Sequence, residues 1–235
     1  MSGPAPSRPR GLVIAIDGPS GAGKSTAGRA LAARLGYLFL DTGAMYRALA
    51  LQALRCGVAL QDAEALAGLA RRCRIDLAPG GEGVRLDGED VTAAIRTREV
   101  SAAASRVSVH GAVRREMVAR QREMGRGGGV VLDGRDIGTA VFPDADVKFY
   151  VDADPAQRAR RRHEELAAAG VDADLRAIEE EIRTRDQVDS TRGDSPLTRA
   201  ADAVHIDTTG LDPEKVVERM LEVVGDRRRA RPAGC

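Results

Sequence analysis

The chain has 235 residues, 43% of them apolar and 30% charged, which is enough to bury a core and too apolar for a disordered chain. Its 36 Lys and Arg oppose 35 Asp and Glu for a net charge of +1, so the bulk attraction behind nonspecific nucleic-acid or membrane binding is missing. Neither Cys56, Cys73 and Cys235 nor His110, His163 and His205 show a disulfide framework or a metal-ligand spacing, so a reduced protein without structural zinc is expected.

The start, Met1 to Gly11, is rich in Pro, Ser and Gly and lacks the apolar segment of a signal peptide. No stretch anywhere reaches the roughly 18 apolar residues of a membrane span. An unexported, cytoplasmic protein with no nucleic-acid or membrane partner is expected. Leu12 to Ile16 is a continuous apolar run of strand length, as a parallel strand buried on both faces requires, and it ends at Asp17–Gly18. From Lys24 the pattern turns helical, with Ala27, Ala30, Leu31 and Leu35 on one stripe and Gly36 as the stop. Tyr37 to Leu40 reads as a second strand closed by Asp41, and Asp41 or Thr42 can cap a helix carrying Met45, Leu49 and Leu54.

The texture then changes. Ile75 and Leu77, Pro79–Gly80–Gly81, Val84 and Leu86, and Asp87–Gly88 alternate as strands and turns of a small antiparallel excursion. Helical segments follow around Glu99–Val107 and His110–Met124, before Gly125 to Gly129 breaks the pattern. Residues 42–125 are therefore read as an inserted substrate lobe. Further strands are expected at Val130–Leu132 with Asp133, at Val147–Val151, and at Ala203–Ile206 with Asp207. The βαβ alternation predicts a mostly parallel sheet with helices on both faces and ligands at the carboxyl ends of strands. Asp207 is read as a plain loop residue. The run Arg227–Arg228–Arg229 with Arg231–Pro232 reads as a frayed, solvated tail.

Gly18–Pro19–Ser20–Gly21–Ala22–Gly23–Lys24–Ser25 matches G-x-x-x-x-G-K-[ST] and lies directly after a buried strand and before a helix. Glycines there let backbone N–H groups turn inward around phosphate oxygens, and the helix N-terminus adds partial positive charge. Lys24 would reach the β- and γ-phosphates, and Ser25 would offer its hydroxyl to Mg²⁺. No N-K-x-D follows to read guanine and no L-S-G-G-Q appears, which leaves a small-molecule kinase or a nucleotide-dependent switch.

Asp133–Gly134–Arg135–Asp136 falls at the carboxyl end of the third strand and so faces the same crevice. Asp133 is placed to act as a carboxylate near the metal, and Arg135 is poised for a second phosphate; the alternative is a salt-bridged turn. Asp154 as cap and Pro155 open a helix on which Arg158, Arg161 and Arg162 share a face. On the next helix Leu175, Ile178 and Ile182 form an apolar stripe continued by Arg185, Asp189 and Arg192. Transfer between two anionic substrates needs such guanidinium groups to offset phosphate repulsion.

With these residues in place the chain resembles the bacterial cytidylate kinase family of P-loop nucleoside monophosphate kinases. The likeness runs through I-D-G-P-S-G-A-G-K-S-T (16–26), D-T-G-A-M-Y-R (41–47), L-D-G-E-D-V (86–91), I-R-T (95–97), D-G-R-D-I-G-T-A-V-F-P-D-A (133–145) and R-D-Q-V-D-S-T-R (185–192). It implies a three-layer α/β P-loop kinase fold with a mostly parallel five-stranded sheet. It also implies one domain over residues 12–225, with a monophosphate-binding lobe at 42–125, a helical lid at 155–192, and flexible tails at 1–11 and 226–235. The implied reaction transfers the γ-phosphoryl group of ATP to CMP or dCMP with Mg²⁺, in a monomer.

The resemblance implies donor contacts from Gly18 to Thr26, with Ser25 on the metal. Ser105, Arg114 and Asp136 correspond to the family's cytosine readers. Arg47, Arg135 and Arg192 correspond to its grip on the acceptor phosphate, and Asp189 to its sugar contact, with Arg185 nearby. Thr42, Tyr46 and Asp133 join the acceptor side, and Arg158 and Arg161 are similar to lid arginines over the donor phosphates. Only Lys24, Lys148 and Lys215 are lysines, and the other cationic residues are all arginine. Positive charge is expected to be concentrated in the crevice and cancelled elsewhere by surface carboxylates.

Overall fold

The computed structural model describes residues 11–168 and 170–230, so the first ten residues and the last five, with Arg231–Pro232 and Cys235, lie outside the described residues. The chain opens with β1 (Val13–Asp17), α1 (Lys24–Leu35) and β2 (Leu38–Asp41). It continues through α2 (Thr42–Arg55), α3 (Ala63–Arg72), β3 (Ile75–Leu77), β4 (Val84–Leu86), β5 (Glu89–Asp90), α4 (Arg98–Val107) and α5 (Gly111–Gly125). It closes with β6 (Val130–Gly134), β7 (Val147–Asp152), α6 (Pro155–Ala168), α7 (Leu175–Thr191), β8 (Val204–Asp207) and α8 (Pro213–Ala230).

Five strands form one sheet in the order β2-β6-β1-β7-β8, and every pair in it is parallel. Each begins at the expected residue or one later and takes in the Asp that follows its apolar run. The period of two on β1 sends Ile14 and Ile16 to one face, where they pack with Ala27 and Leu31 of α1 and with Val217 and Met220 of α8. Val13 and Ala15 face the other way, against Leu132, Ile137 and Phe142, with Val118 and Met124 of α5 packed alongside. Three layers result, and they leave the carboxyl ends of β1, β2 and β6 side by side.

The segment between β2 and β6 builds a second core from Met45, Leu49, Leu66, Leu86, Ile95 and Met117. Its antiparallel sheet, in the order β3-β4-β5, pairs Ile75 with Leu86 and Leu77 with Val84. Helix α3 is absent from the expected elements; Asp62 caps it through the Ala65 N–H, and Leu66, Leu69 and Ala70 bury its inner face. Helices α6 and α7 pair through Ala159, Leu166, Ile178 and Ile182. Leu175 stays 39% exposed at the start of α7, and Ala30 is exposed on α1, so neither joins the stripe expected of it.

Residues 226–230 are not a loose tail, because α8 runs to Ala230. Arg227 donates to the carbonyl of Asp146 at 3.0 Å. Arg228 donates to the Tyr37 hydroxyl at 2.8 Å, its guanidinium 5.3 Å from the centre of that ring. The same hydroxyl oxygen accepts the Leu12 N–H at 3.1 Å. Tyr37 therefore ties the entry to β1 to the last turn of α8. Tyr37→Phe removes both bonds, and urea denaturation should show a loss of about 1 kcal/mol in unfolding free energy; an unchanged midpoint and slope would refute the tie.

Candidate active site

The phosphate loop, Gly18 to Gly23, leaves β1 and enters α1 without a side-chain cap. Helices α2, α3, α4 and α7 are capped by Asp41, Asp62, Thr97 and Asp174, each accepting a backbone N–H of its own first turn. At α1 the cap position is Gly23, left-handed at φ 86°, and the first turn holds no acidic residue. The first-turn N–H groups and the positive end of the helix dipole thus face the crevice uncompensated, as an anion site requires. Gly18 has φ 148° and lies against the Val151 carbonyl of β7, where any Cβ would collide.

Around this loop lies a buried mixed-charge centre. The Lys24 ammonium folds back on the Pro19 carbonyl at 2.5 Å. Burial, then the nearby Arg135 guanidinium, push its pKa down to about 7. Ser25 donates its hydroxyl to Oδ2 of Asp133, while Oδ1 of that carboxylate is buried without a hydrogen-bond partner. Burial, then the charge of Asp41, raise the Asp133 carboxyl to about 7. A hydroxyl and a carboxylate oxygen with an unused lone pair are hard donors of the kind Mg²⁺ takes. Thr42, at the start of α2, donates to the Asp133 backbone carbonyl at 2.7 Å.

The expected arginines do converge, and carboxylates of the same crevice hold them. Arg47 pairs with Asp41 at 2.8 Å, Arg135 with Asp189 at 2.8 Å and Arg158 with Asp186 at 2.6 Å. Arg114 pairs with Asp136. The expectation that distant surface carboxylates cancel this charge is therefore corrected: burial makes an unpaired guanidinium costly, so the counterions sit beside it. Arg161 bonds Thr208 in place of a carboxylate, and a second exception is Arg185. Its Nε is buried and unpartnered, and burial, then the neighbouring Arg135 charge, lower its pKa to about 10.

A second cluster joins Tyr46, Arg114, Asp136 and Arg192. Arg114 is 3% exposed, donates to the Ser108 carbonyl at 3.4 Å, and sits 5.8 Å from the Tyr46 ring centre. Burial pushes the Tyr46 phenol up to about 12, so the ring is neutral. Arg192 lies 3.7 Å from both Asp136 and Asp189, and its buried Nη2 lacks a hydrogen bond, as does Nε of Arg114. Such under-satisfied donors mark where a ligand's acceptors can enter. Ser105 is half-buried on α4 and Thr26 is exposed on α1; among the described residues neither hydroxyl is hydrogen-bonded.

Of three arginines on α6, one bonds the phosphate loop, one bonds the loop's neighbour Thr208, and one does neither. Arg158 donates to the Ser20 carbonyl at 3.0 Å, and Arg161 reaches the Thr208 hydroxyl and carbonyl at 3.0 and 2.7 Å. Arg162 points away to Glu165 at 3.0 Å, so the three do not act as one face. Asp207 is the last residue of β8 and not the loop residue expected, although its carboxylate does take the Thr209 N–H at 2.8 Å in the turn that follows.

Sequence reading missed four supports. Asp41 holds Arg47; Asp186 holds Arg158 and accepts the Ser20 N–H at 3.4 Å; Thr208 donates to the Ala22 carbonyl at 3.1 Å; Asp17 accepts the Ile137 and Gly138 N–H groups. For Asp17 and Asp41 the available signal was the recurrence of Asp at strand ends; Asp186, inside α7, and Thr208, after β8, carried none. His110 bonds the Leu60 carbonyl at 2.8 Å and takes no part in the centre. Cys56 and Cys73 are free thiols, and the described residues include no group of three or more His, Cys, Asp or Glu placed to hold a metal.

The family model described as cytidylate kinase matches residues 14–226. A cytidylate kinase of Geobacillus kaustophilus (strain HTA426) is 53% identical over 220 residues, covering 93% of this chain and 98% of the relative. One of Symbiobacterium thermophilum is 54% identical over 215 residues, covering 90% of this chain and 95% of the relative. Among solved structures, an uncharacterized protein from Eubacterium ventriosum ATCC 27560 aligns with a TM-score of 0.51 at 9% identity. The alignment covers 91% of this chain and 98% of that one, and is a likeness of fold.

The buried carboxyl of Asp17 has a measurable pH signature. Burial raises its pKa from 3.8 to about 6, so between those values the folded protein keeps a proton that the unfolded chain has released. The group's contribution to stability is full below the lower value and is lost as pH rises through the higher one. Asp17→Asn removes this titration, so the variant should gain stability relative to the parent between about pH 4.5 and about pH 6.5 in urea denaturation. A constant difference across that range would refute the shift.

Proposed function

The chain belongs to the cytidylate kinase family, and we propose that it transfers the γ-phosphoryl group of ATP to CMP and dCMP, giving ADP and the pyrimidine diphosphate. The observation that carries this reading is a single crevice with two differently built ends. At one end an uncapped helix N-terminus and Lys24 suit a polyphosphate. At the other, Arg114, Asp136 and Tyr46 offer paired donors and acceptors beside a neutral ring, which suit a base edge. Arg47, Arg135, Arg185 and Arg192 lie between the two ends.

In this reading the loop from Gly18 to Thr26, through its backbone N–H groups other than at Pro19, and the Lys24 ammonium bind the donor phosphates. Arg158 and Arg161 close over them from the lid at 155–192. Residues 42–125 form the lobe that receives the monophosphate: Arg47, Arg135 and Arg192 grip its phosphate, Asp189 approaches the sugar, and Ser105, Arg114 and Asp136 read cytosine. Thr42 fixes the Asp133 backbone beneath the acceptor. Arg185, poorly paired beside Arg135, supports the charge that builds on the transferred group.

The acceptor phosphate already carries the attacking oxygen, so transfer needs no covalent intermediate and no general base. An oxygen of the monophosphate forms its bond to the γ-phosphorus as the bond to the ADP oxygen breaks. The protein aligns the two anions and neutralises them. Mg²⁺ would be held by Ser25, with Asp133 beside it, and when bound it screens the β- and γ-oxygens. Closure of lobe and lid excludes water, which would otherwise compete as acceptor. A monomer is the state that the family resemblance implies. No helix among the described residues is long and apolar enough to cross a membrane, in keeping with a cytoplasmic enzyme of pyrimidine nucleotide metabolism.

ADP release measured with ATP and CMP, dCMP, UMP or AMP tests the reading. Release is expected to depend on acceptor and to favour the cytosine nucleotides; acceptor-independent release would point to a nucleotide switch, and preference for AMP would remove the cytosine assignment. Lys24→Ala should lower kcat by about a thousandfold, since a focused charge at a phosphoryl centre is lost. Its thermal midpoint should stay near the parent's. Parental turnover in this variant would place Lys24 away from the phosphates.

A further inference from the structure

Asp17 touches neither substrate in this scheme, yet it is only 5% exposed and both of its oxygens are engaged. Oδ1 accepts the N–H of Ile137 and Oδ2 that of Gly138, each at 2.7 Å. These are the first N–H groups of a single π turn, Ile137–Val141, whose own cap position, Asp136, spends its side chain on Arg114 and gives the turn no cap bond. Asp17 is therefore a cap supplied by another strand. The Asp136 carbonyl in turn accepts the Ala140 and Val141 N–H groups at 2.8 and 3.1 Å, so the backbone around the base-reading residue is held from both sides.

The fit is close as well as bonded. A Cβ on Gly138 would stand 3.3 Å from Oδ2 of Asp17 and 3.1 Å from Cδ of Lys148. A carboxylate suits this place because it presents two acceptors to two successive donors, whereas an amide of the same shape would turn an NH₂ toward an N–H. On its other side Asp17 is the last residue of β1, directly before Gly18 of the phosphate loop.

We propose that Asp17 is a positioning residue for the acceptor nucleotide: by clamping Ile137 and Gly138 it sets Asp136, and with it Arg114, at a fixed place relative to the phosphate loop. The proposal rests on the cytosine-reading role given to Asp136 above. It makes one carboxylate the mechanical link between the donor and acceptor ends of the crevice.

Steady-state kinetics of Asp17→Asn, with CMP and ATP varied separately, provide the test. Loss of one charged hydrogen bond should raise KM for CMP about tenfold, with KM for ATP within about twofold of the parent. The preference for CMP over UMP should fall as well, which a general loss of stability would not produce. Gly138→Ala pushes on the same turn without changing charge; it should give the same pattern, and it carries the test if Asp17→Asn does not fold. Equal increases in both KM values, or parental kinetics, would overturn the proposal, and failure of both variants to fold would assign Asp17 to stability alone. Asp136→Ala serves as the reference. If it weakens CMP selectively while the other two variants do not, Asp17 is not the link; if it leaves CMP untouched, the cytosine reading falls and the link with it.

Discussion

Carboxylates at the carboxyl ends of parallel strands, two buried and one half-buried, hold this crevice in shape. Asp17 and Asp41 close β1 and β2, Asp133 is the last residue but one of β6, and the sheet order places those three strands next to one another. Each carboxylate does a different task. Asp17 caps a turn from outside it, Asp41 caps α2 and holds Arg47, and Asp133 takes the Ser25 hydroxyl. In a low-dielectric interior such bonds are strong, and a missing partner is costly. The cationic side chains are thereby placed before a ligand arrives, which lowers the reorganisation that binding and transfer require.

The same pairing sets what a nucleotide must do on entry. A phosphate approaching Arg47 or Arg135 competes with Asp41 or Asp189 for the guanidinium. Asp186, bonded to Arg158 and to the Ser20 N–H, occupies the rim of the phosphate loop in the same way. Affinity is then a difference between two sets of charge-assisted bonds, and an anion of the wrong shape loses one set without completing the other. Arg185, which has neighbours of its own charge and a buried Nε without a partner, gains most from an added anion.

Much of this was legible in the sequence because parallel strands buried on both faces appear as unbroken apolar runs. Leu12–Ile16 and Val130–Leu132 are such runs, and the phosphate loop is recognisable from its place between strand and helix. Helix α3 was not legible: it is short and rich in Ala, and its inner face is a narrow stripe that no long apolar side chain beyond Leu66 and Leu69 announces. The last turn of α8 reads as solvated because its arginines bond a carbonyl and a tyrosine hydroxyl that only the fold brings near. The partners of the site arginines were hidden for a similar reason. Asp189 lies 54 residues from Arg135 and Asp136 lies 22 from Arg114, so strand and helix order decide the pairs, and composition does not. Lys148 belongs here too, since its ammonium spans the Pro143 carbonyl at 2.6 Å and Asp202 at 2.9 Å, a role for a compact charge.

The Tyr37 hydroxyl receives both the Leu12 N–H and the Arg228 guanidinium, so the described chain starts and finishes at one spot. That spot is at the amino ends of the strands, and the nucleotide crevice is at their carboxyl ends, about 16 Å away for a strand of five residues. The fold is thus nearly a closed ring with its seam on the far side from the chemistry. A domain, an affinity handle or a short loop joining the two ends would attach at the seam and leave the nucleotide entrance clear.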